Sequence, residues 1–340
     1  MPVEGEKPMN TALRLVDQDE PILGKRDYIN HFRSNEPKYG VLFTDYIELT
    51  VTRKARRYNK TYKRNYITLI NHLNAFAEKY DAILYTNSIS EEFINDFLYY
   101  LRNETAKPLK HNYIKTLLDL AKGMAAQAGA DNYAFDPSSK NVELDLEECF
   151  SIYLSMIDIA RIYYYEGLTK KQQRVRDLFV LGCLTGLRYS DYSTLKPEDF
   201  DVDFITKATQ KTKVTVVIPI HDIVNEIFKK YDGNVSSGLC LQHFNRYLKR
   251  ICKRIGFTEK ITFTYRRGNK PVTETKEEWQ LISSHTARRS FATNMVIAGI
   301  EPIKIMNITG HTTERSFMRY LKQTKRDTAK QIAGNSFFRK

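Results

Sequence analysis

The sequence predicts a mainly α protein of two domains, the second carrying a small antiparallel β-sheet. Three observations carry this expectation. The chain has 340 residues, more than one typical core holds and about right for two. Between about residue 38 and residue 130, apolar residues recur at three- and four-residue steps, the helical period. Extended character is confined to two stretches, KVTVVIPI at 213–220 and ITFTYRRGNKPVTETKEEWQLIS at 261–283, the second folded about Gly268-Asn269.

The elements follow in order. Residues 1–36 read as a polar tail, with Pro2, Pro8 and Pro21 and no sustained period. VLFTDYIELTVTRKA opens a helical domain spanning 37–132. In the next segment Tyr62, Tyr66, Leu69, Leu73, Phe76 and Tyr80 form one apolar stripe. SEEFINDFLYYLRN predicts a further helix with Ser90 as N-cap, and KHNYIKTLLDLAKGMAAQAGA another that stops at glycine. DNYAFDPSSKN, 131–141, has the turn residues of an interdomain linker. The second domain, 133–340, contains an apolar helix, QQRVRDLFVLGCLTGL, ending near Gly186. Its remainder, FNRYLKRICKRIGF and the residues after Ser284, is helical in period. The end of the chain, with Phe337 and Phe338, reads as a polar helix-like segment.

Composition narrows the function. Hydrophobic residues make up 42% and charged residues 27%, a globular balance. No apolar run is long enough to cross a membrane, and the mixed-charge N-terminus does not read as a signal peptide. Cys149, Cys183, Cys240 and Cys252 have no metal-site spacing and suggest reduced thiols in the cytoplasm. Lys and Arg exceed Asp and Glu by 13, which favours a polyanionic partner, nucleic acid ahead of membrane. Arg53, Lys54, Arg56, Arg57, Lys60, Lys63 and Arg64 lie within twelve positions and are candidate phosphate contacts. No phosphate loop, GxGxxG turn or HExxH occurs, so nucleotide and zinc hydrolysis lack support and no cofactor or metal is expected. Asp191, Asp199 and Asp201 flank a turn and read as caps and loop residues.

SSHTARRSFAT, 283–293, sets His285, Arg288 and Arg289 at a helix start, where the macrodipole is already positive. His285 and Arg288 share a face, which suits an anion at that helix end. LTGLRYSD places Arg188 just past a glycine break. QKTKVTVVIPI places Lys211 or Lys213 at the head of a strand. TGHTTERSFMRYLK places His311 after Gly310 and Tyr320 nine positions later.

In that order and spacing, residues 178–322 resemble the catalytic domain of the tyrosine recombinases, the phage-integrase family. The matching positions are Arg188, Lys211, His285, Arg288, His311 and Tyr320. Lys211 matches better than Lys213, because it precedes Pro219 of the strand end by eight positions. SSHTARRSFAT and ITGHTT are most similar to integrases of Bacteroidetes-type mobile elements, and the helical domain is similar to the family's SAM-like core DNA-binding domain. Asp191 stands where many relatives have Glu. The tail before residue 37 is shorter than the arm-site-binding domain that many integrases carry.

The resemblance implies the chemistry. Near neutral pH a phenolate costs roughly 4 kcal/mol to form, and a crowd of cations with a nearby base lowers that cost. Tyr320 is then the nucleophile, leaving a 3′-phosphotyrosyl link and a free 5′-hydroxyl without metal or ATP. Arg188 and Arg288 hold the non-bridging oxygens and His311 donates to them. His285 serves as base, Lys211 protonates the leaving 5′ oxygen, and Asp191 orients a neighbouring cation. The implied partner is double-stranded DNA, met by a chain that is monomeric when free and tetrameric on synapsed DNA, with accessory DNA-bending proteins, in the cytoplasm at the nucleoid. A DNA invertase, a dimer-resolving recombinase and a type IB topoisomerase share this residue set and stay open as alternatives.

Overall fold

The computed structural model describes residues 40–54, 60–322, 328–329 and 332–333. The polar tail, Arg56, Arg57, Phe337 and Phe338 lie outside the described residues. The chain divides into two units, one of 1–149 with 264–272 and the other of 150–263 with 273–340. Both are mainly helical, as expected, and the extended residues form two separate two-stranded sheets.

The first unit contains α1 (Phe43–Lys54), α2 (Lys60–Tyr80), α3 (Glu91–Asn103) and α4 (His111–Ala130). Its core is built from Phe43, Tyr46, Ile47, Leu69, Leu73 and Ile114 with others of the same stripes. Phe76 packs edge-on against Phe93, Phe97 and Tyr100, a geometry that sets ring edges against ring faces. The Ser90 hydroxyl accepts from the Phe93 N–H at 3.2 Å, the N-cap read from the sequence. α4 does not stop at Gly129 but continues one residue beyond it. Glycine is needed there because the Phe135 ring occupies the place of a Cβ. The turn residues after it fold back onto this unit: Tyr133 is buried, Thr86 donates to the Ala134 carbonyl at 2.7 Å, and Pro137–Asn141 form a 3-10 turn.

The second unit is organised around one helix. α5 (Met156–Tyr163) leads to α6 (Lys170–Thr185), buried at every position from Val175 to Thr185. The charged Asp177 is tolerated inside because Arg176, Lys230 and the Tyr231 hydroxyl all donate to it. After α7 (Tyr189–Tyr192) come β1 (Phe204–Ala208) and β2 (Thr215–Pro219), antiparallel with Phe204 opposite Pro219 and Ala208 opposite Thr215. Alternation buries Ile205, Val216 and Ile218 and turns their neighbours outward. α8 (Asp222–Lys230) and α9 (Leu241–Ile255) follow, then the hairpin β3 (Lys260–Arg267) and β4 (Lys270–Glu277) about the expected Gly268-Asn269 turn, a hairpin of which 264–272 count with the first unit. α10 (Glu278–Leu281), α11 (Ser284–Ile297), α12 (Pro302–Thr309) and α13 (Glu314–Met318) come next.

Candidate active site

Two glycines set the site's frame. α6 ends at Gly186 in the left-handed region, φ 67°, and a Cβ there would meet the Phe291 ring. The reversal lets the Gly186 carbonyl face α11, where it accepts from Arg288 Nη1 at 2.9 Å, and it delivers Arg188 to the start of α7. Gly310 ends α12 in the same way, φ 66°, and turns His311 back toward α11.

His285 and Arg288 lie one helical step apart on α11 and both face Tyr320. The Tyr320 hydroxyl is 3.1 Å from His285 Nε2, and the Arg288 guanidinium carbon lies 5.4 Å from the Tyr320 ring centre. The His311 ring lies 4.8 Å from the same ring. Thr293 of α11 holds the backbone around the tyrosine, accepting from the Lys322 N–H at 3.2 Å. Tyr320, His285, Arg288 and His311 thus form one contiguous group.

The hydrogen bonds determine how His311 is protonated. Thr309 Oγ1 has one proton, and its bond to the Ile305 carbonyl at 2.7 Å uses it. The contact of 2.7 Å between Thr309 Oγ1 and His311 Nδ1 must therefore be donated by the imidazole. That leaves His311 Nε2 as an acceptor, 3.1 Å from Arg288 Nη2.

The charges repel one another, which is the expected signature of a site built for an anion. Burial, then Arg289, Arg288, Arg188 and Lys211, push His285 down to about 4. His285 itself is exposed, so water screens part of this repulsion. Burial, followed by Arg288, Arg188 and His285, pushes His311 down to about 3. Burial and Arg188 lower Arg288 to about 10, against the pull of Tyr320 and Asp191, so it stays charged at neutral pH.

A stability slope follows. In the unfolded chain both histidines take up protons near their ordinary 6.5, while the folded values lie near 4 and 3. The unfolded state therefore binds more protons below about pH 6.5, and stability is lost as pH falls through that window. Above it these groups contribute no slope. Urea denaturation between pH 7 and about pH 5 should show the decline, and His311→Asn should flatten it. Equal slopes for the two proteins would contradict the assignment.

Arg188 and Asp191 flank the group. Arg188 Nη1, Asp191 Oδ2 and Arg288 Nε are buried with no hydrogen-bond partner among the described residues. Lys211 is exposed on the β1–β2 turn and makes no hydrogen bond or ion pair among the described residues. Arg289 donates to the Ile152 carbonyl at 3.2 Å while its charge still acts on His285. In the basic run, Arg53 pairs with Asp131 and Lys54 donates to Gln127, both within the first unit. Lys60, Lys63 and Arg64 are exposed on the first turns of α2. No local motif marks Thr309, Thr293 or the Gly186 carbonyl, whose partners are set by folding.

The two helical units, the first SAM-like and the second joining an α-rich core to a small sheet, define the class of the tyrosine recombinases. Residues 154–327 match the phage integrase family and residues 42–140 the phage integrase SAM-like domain. The chain belongs to the phage integrase family and is a tyrosine-type site-specific recombinase. Among solved structures, a lambda integrase dimer bound to a COC′ core site is similar at TM-score 0.59 and 16% identity, over 86% of this chain and 80% of that one. The Tn1549 transposon integrase in complex with a circular intermediate DNA is similar at TM-score 0.61 and 14% identity, over 86% and 98%. XerH site-specific recombinase bound to a palindromic difH substrate is similar at 0.58 and 15%, over 86% and 84%. At these identities the likeness is one of fold. No curated protein matches the sequence.

Proposed function

We propose that this protein is the integrase of a mobile element, of the kind found in Bacteroidetes-type bacteria, and that it cuts and rejoins double-stranded DNA through a 3′-phosphotyrosyl intermediate. The observation that carries the reading is the Tyr320 hydroxyl, 3.1 Å from His285 Nε2 and beside the buried Arg288 guanidinium. A neutral histidine can accept the phenolic proton; a protonated one cannot.

The step balances without a cofactor. Tyr320 Oη forms a bond to the scissile phosphorus as its proton passes to His285 Nε2. The bond from phosphorus to the 5′ oxygen breaks, and that oxygen takes a proton from Lys211 Nζ. Arg188 and Arg288 neutralise the non-bridging oxygens, where fork geometry outperforms a point charge. The incoming phosphate offsets the repulsion that depresses both histidines, so His285 becomes a better base as DNA arrives. It also draws Arg288 Nη2 from His311, whose Nε2 can then take a proton from solvent as the DNA binds and donate a hydrogen bond to the phosphate. The tyrosyl ester conserves the energy of the broken bond, so a second DNA end can reverse the step within a tetramer on synapsed sites.

The test is a nicked suicide substrate carrying a candidate site. Wild type should accumulate a covalent protein–DNA adduct; absence of an adduct at every candidate site would refute the reading. Plasmids separate the alternatives, because a type IB topoisomerase relaxes any supercoiled circle while a recombinase needs two cognate sites. For the basic run, replacing Arg56, Arg57 and Lys63 with alanine should reduce the slope of log affinity against log salt by about one unit for each phosphate no longer neutralised. An unchanged slope would return these residues to a solvated face.

A further inference from the structure

The β1–β2 turn that carries Lys211 is held from outside as well as from within. Inside it, the Thr209 N–H donates to the Val214 carbonyl and the Lys213 N–H to the Thr209 carbonyl, both at 3.0 Å. Lys213 takes the left-handed conformation, φ 58°. These bonds fix the shape of the turn and leave open where it points. The outer fastening comes from Gln210, the residue before Lys211. Its backbone N–H donates to Asp191 Oδ1 at 2.8 Å. Its side-chain Nε2 donates to the Ser190 carbonyl at 2.8 Å and to Thr194 Oγ1 at 3.3 Å.

The amide orientation is determined. A carbonyl can only accept, so nitrogen must face Ser190. Thr194 spends its own proton on the Ser190 carbonyl at 2.9 Å, so it too accepts from Gln210. All three acceptors lie in 190–194, on α7 and the turn after it, and α7 opens on Arg188. Further down β1, Lys207 donates to the Thr194 carbonyl at 3.0 Å, so strand and turn are tied to the same short segment.

We propose that Gln210 is a positioning residue for the proton donor: it latches the Lys211 turn to the helix that presents Arg188, keeping the ammonium at the leaving oxygen of a phosphate held by that guanidinium. The inference rests on Lys211 as the acid of the cleavage step. Gln210 touches no reacting atom. It acts by limiting the arc through which an exposed, unpaired lysine can swing, and geometric restriction of this kind is a large part of catalysis by positioned groups. Because Gln210 is exposed, its side chain can be removed without disturbing the core.

The experiment uses two suicide substrates, one with the ordinary 5′ oxygen and one with a bridging sulfur at that position. A thiolate leaves without a proton, so the sulfur substrate bypasses the acid. Gln210→Ala in the full chain should cleave the oxygen substrate about tenfold to a hundredfold more slowly and the sulfur substrate as fast as the unchanged protein does. Lys211→Ala should show the same pattern with a deeper oxygen defect. Arg288→Met should stay slow on both, since charge on the phosphate still needs neutralising. If Lys211→Ala is rescued by sulfur and Gln210→Ala is not, the latch is overturned while the acid stands. If Lys211→Ala is not rescued, the acid assignment falls and the latch with it. Full-rate cleavage of the oxygen substrate by Gln210→Ala also overturns the latch.

Discussion

Replacing Arg288 with methionine will slow DNA cleavage by about two to three orders of magnitude, the loss expected for one donor to a developing phosphorane, while the chain stays folded. Arg288 is only 1% exposed, and burial together with Arg188 already opposes its charge. Methionine fills similar space and removes that repulsion. The cost is the Gly186 carbonyl, which loses its 2.9 Å donor and about 1–3 kcal/mol with it. The two effects act in opposite directions, so the net change in urea stability should not exceed about 3 kcal/mol. A single-turnover cleavage assay and a denaturation curve on one preparation separate chemistry from folding. Near-normal cleavage by Arg288→Met would remove Arg288 from the mechanism, as would full activity of Arg288→Lys, which lacks the planar fork.

Tyr320→Phe will abolish the covalent adduct and leave DNA affinity unchanged. The substitution removes one oxygen and keeps the ring beside His311 and Arg288. It deletes the hydroxyl bond to His285, which is solvent-exposed, so stability should move by less than about 1.5 kcal/mol. A gel-shift titration and a denaturing gel of the suicide reaction read the two quantities separately. Loss of DNA binding together with the adduct would mean that Tyr320 serves the structure rather than the chemistry.

The fold and much of the site are legible in the sequence for local reasons. Ser90 caps α3, Gly186 ends α6, and the Gly268-Asn269 turn joins β3 to β4, because caps and turns depend on a few neighbouring residues. The strand β1 carries no such signal: FITKA is five residues long and becomes a strand by pairing with β2. The sequence of α11 likewise gives no hint that Arg288 reaches a carbonyl 102 positions earlier. Thr309 and Gln210 are invisible for the same reason. Each is an ordinary polar residue whose role comes from what the fold places opposite it. The basic run shows the converse limit. A linear cluster of cations looks uniform, yet Arg53 and Lys54 are engaged with Asp131 and Gln127 of α4 and its cap, and only the folded unit distinguishes them from the exposed Lys63 and Arg64.

Chemistry at Tyr320 requires that its oxygen take the DNA phosphate. Trapping the adduct on a suicide substrate, digesting protein and DNA, and mapping the modified peptide by mass spectrometry tests it directly. A nucleotide 3′-phosphate is expected on the peptide containing Tyr320 and on no other. A phosphonucleotide on a different tyrosine, or on a serine or histidine, would contradict it.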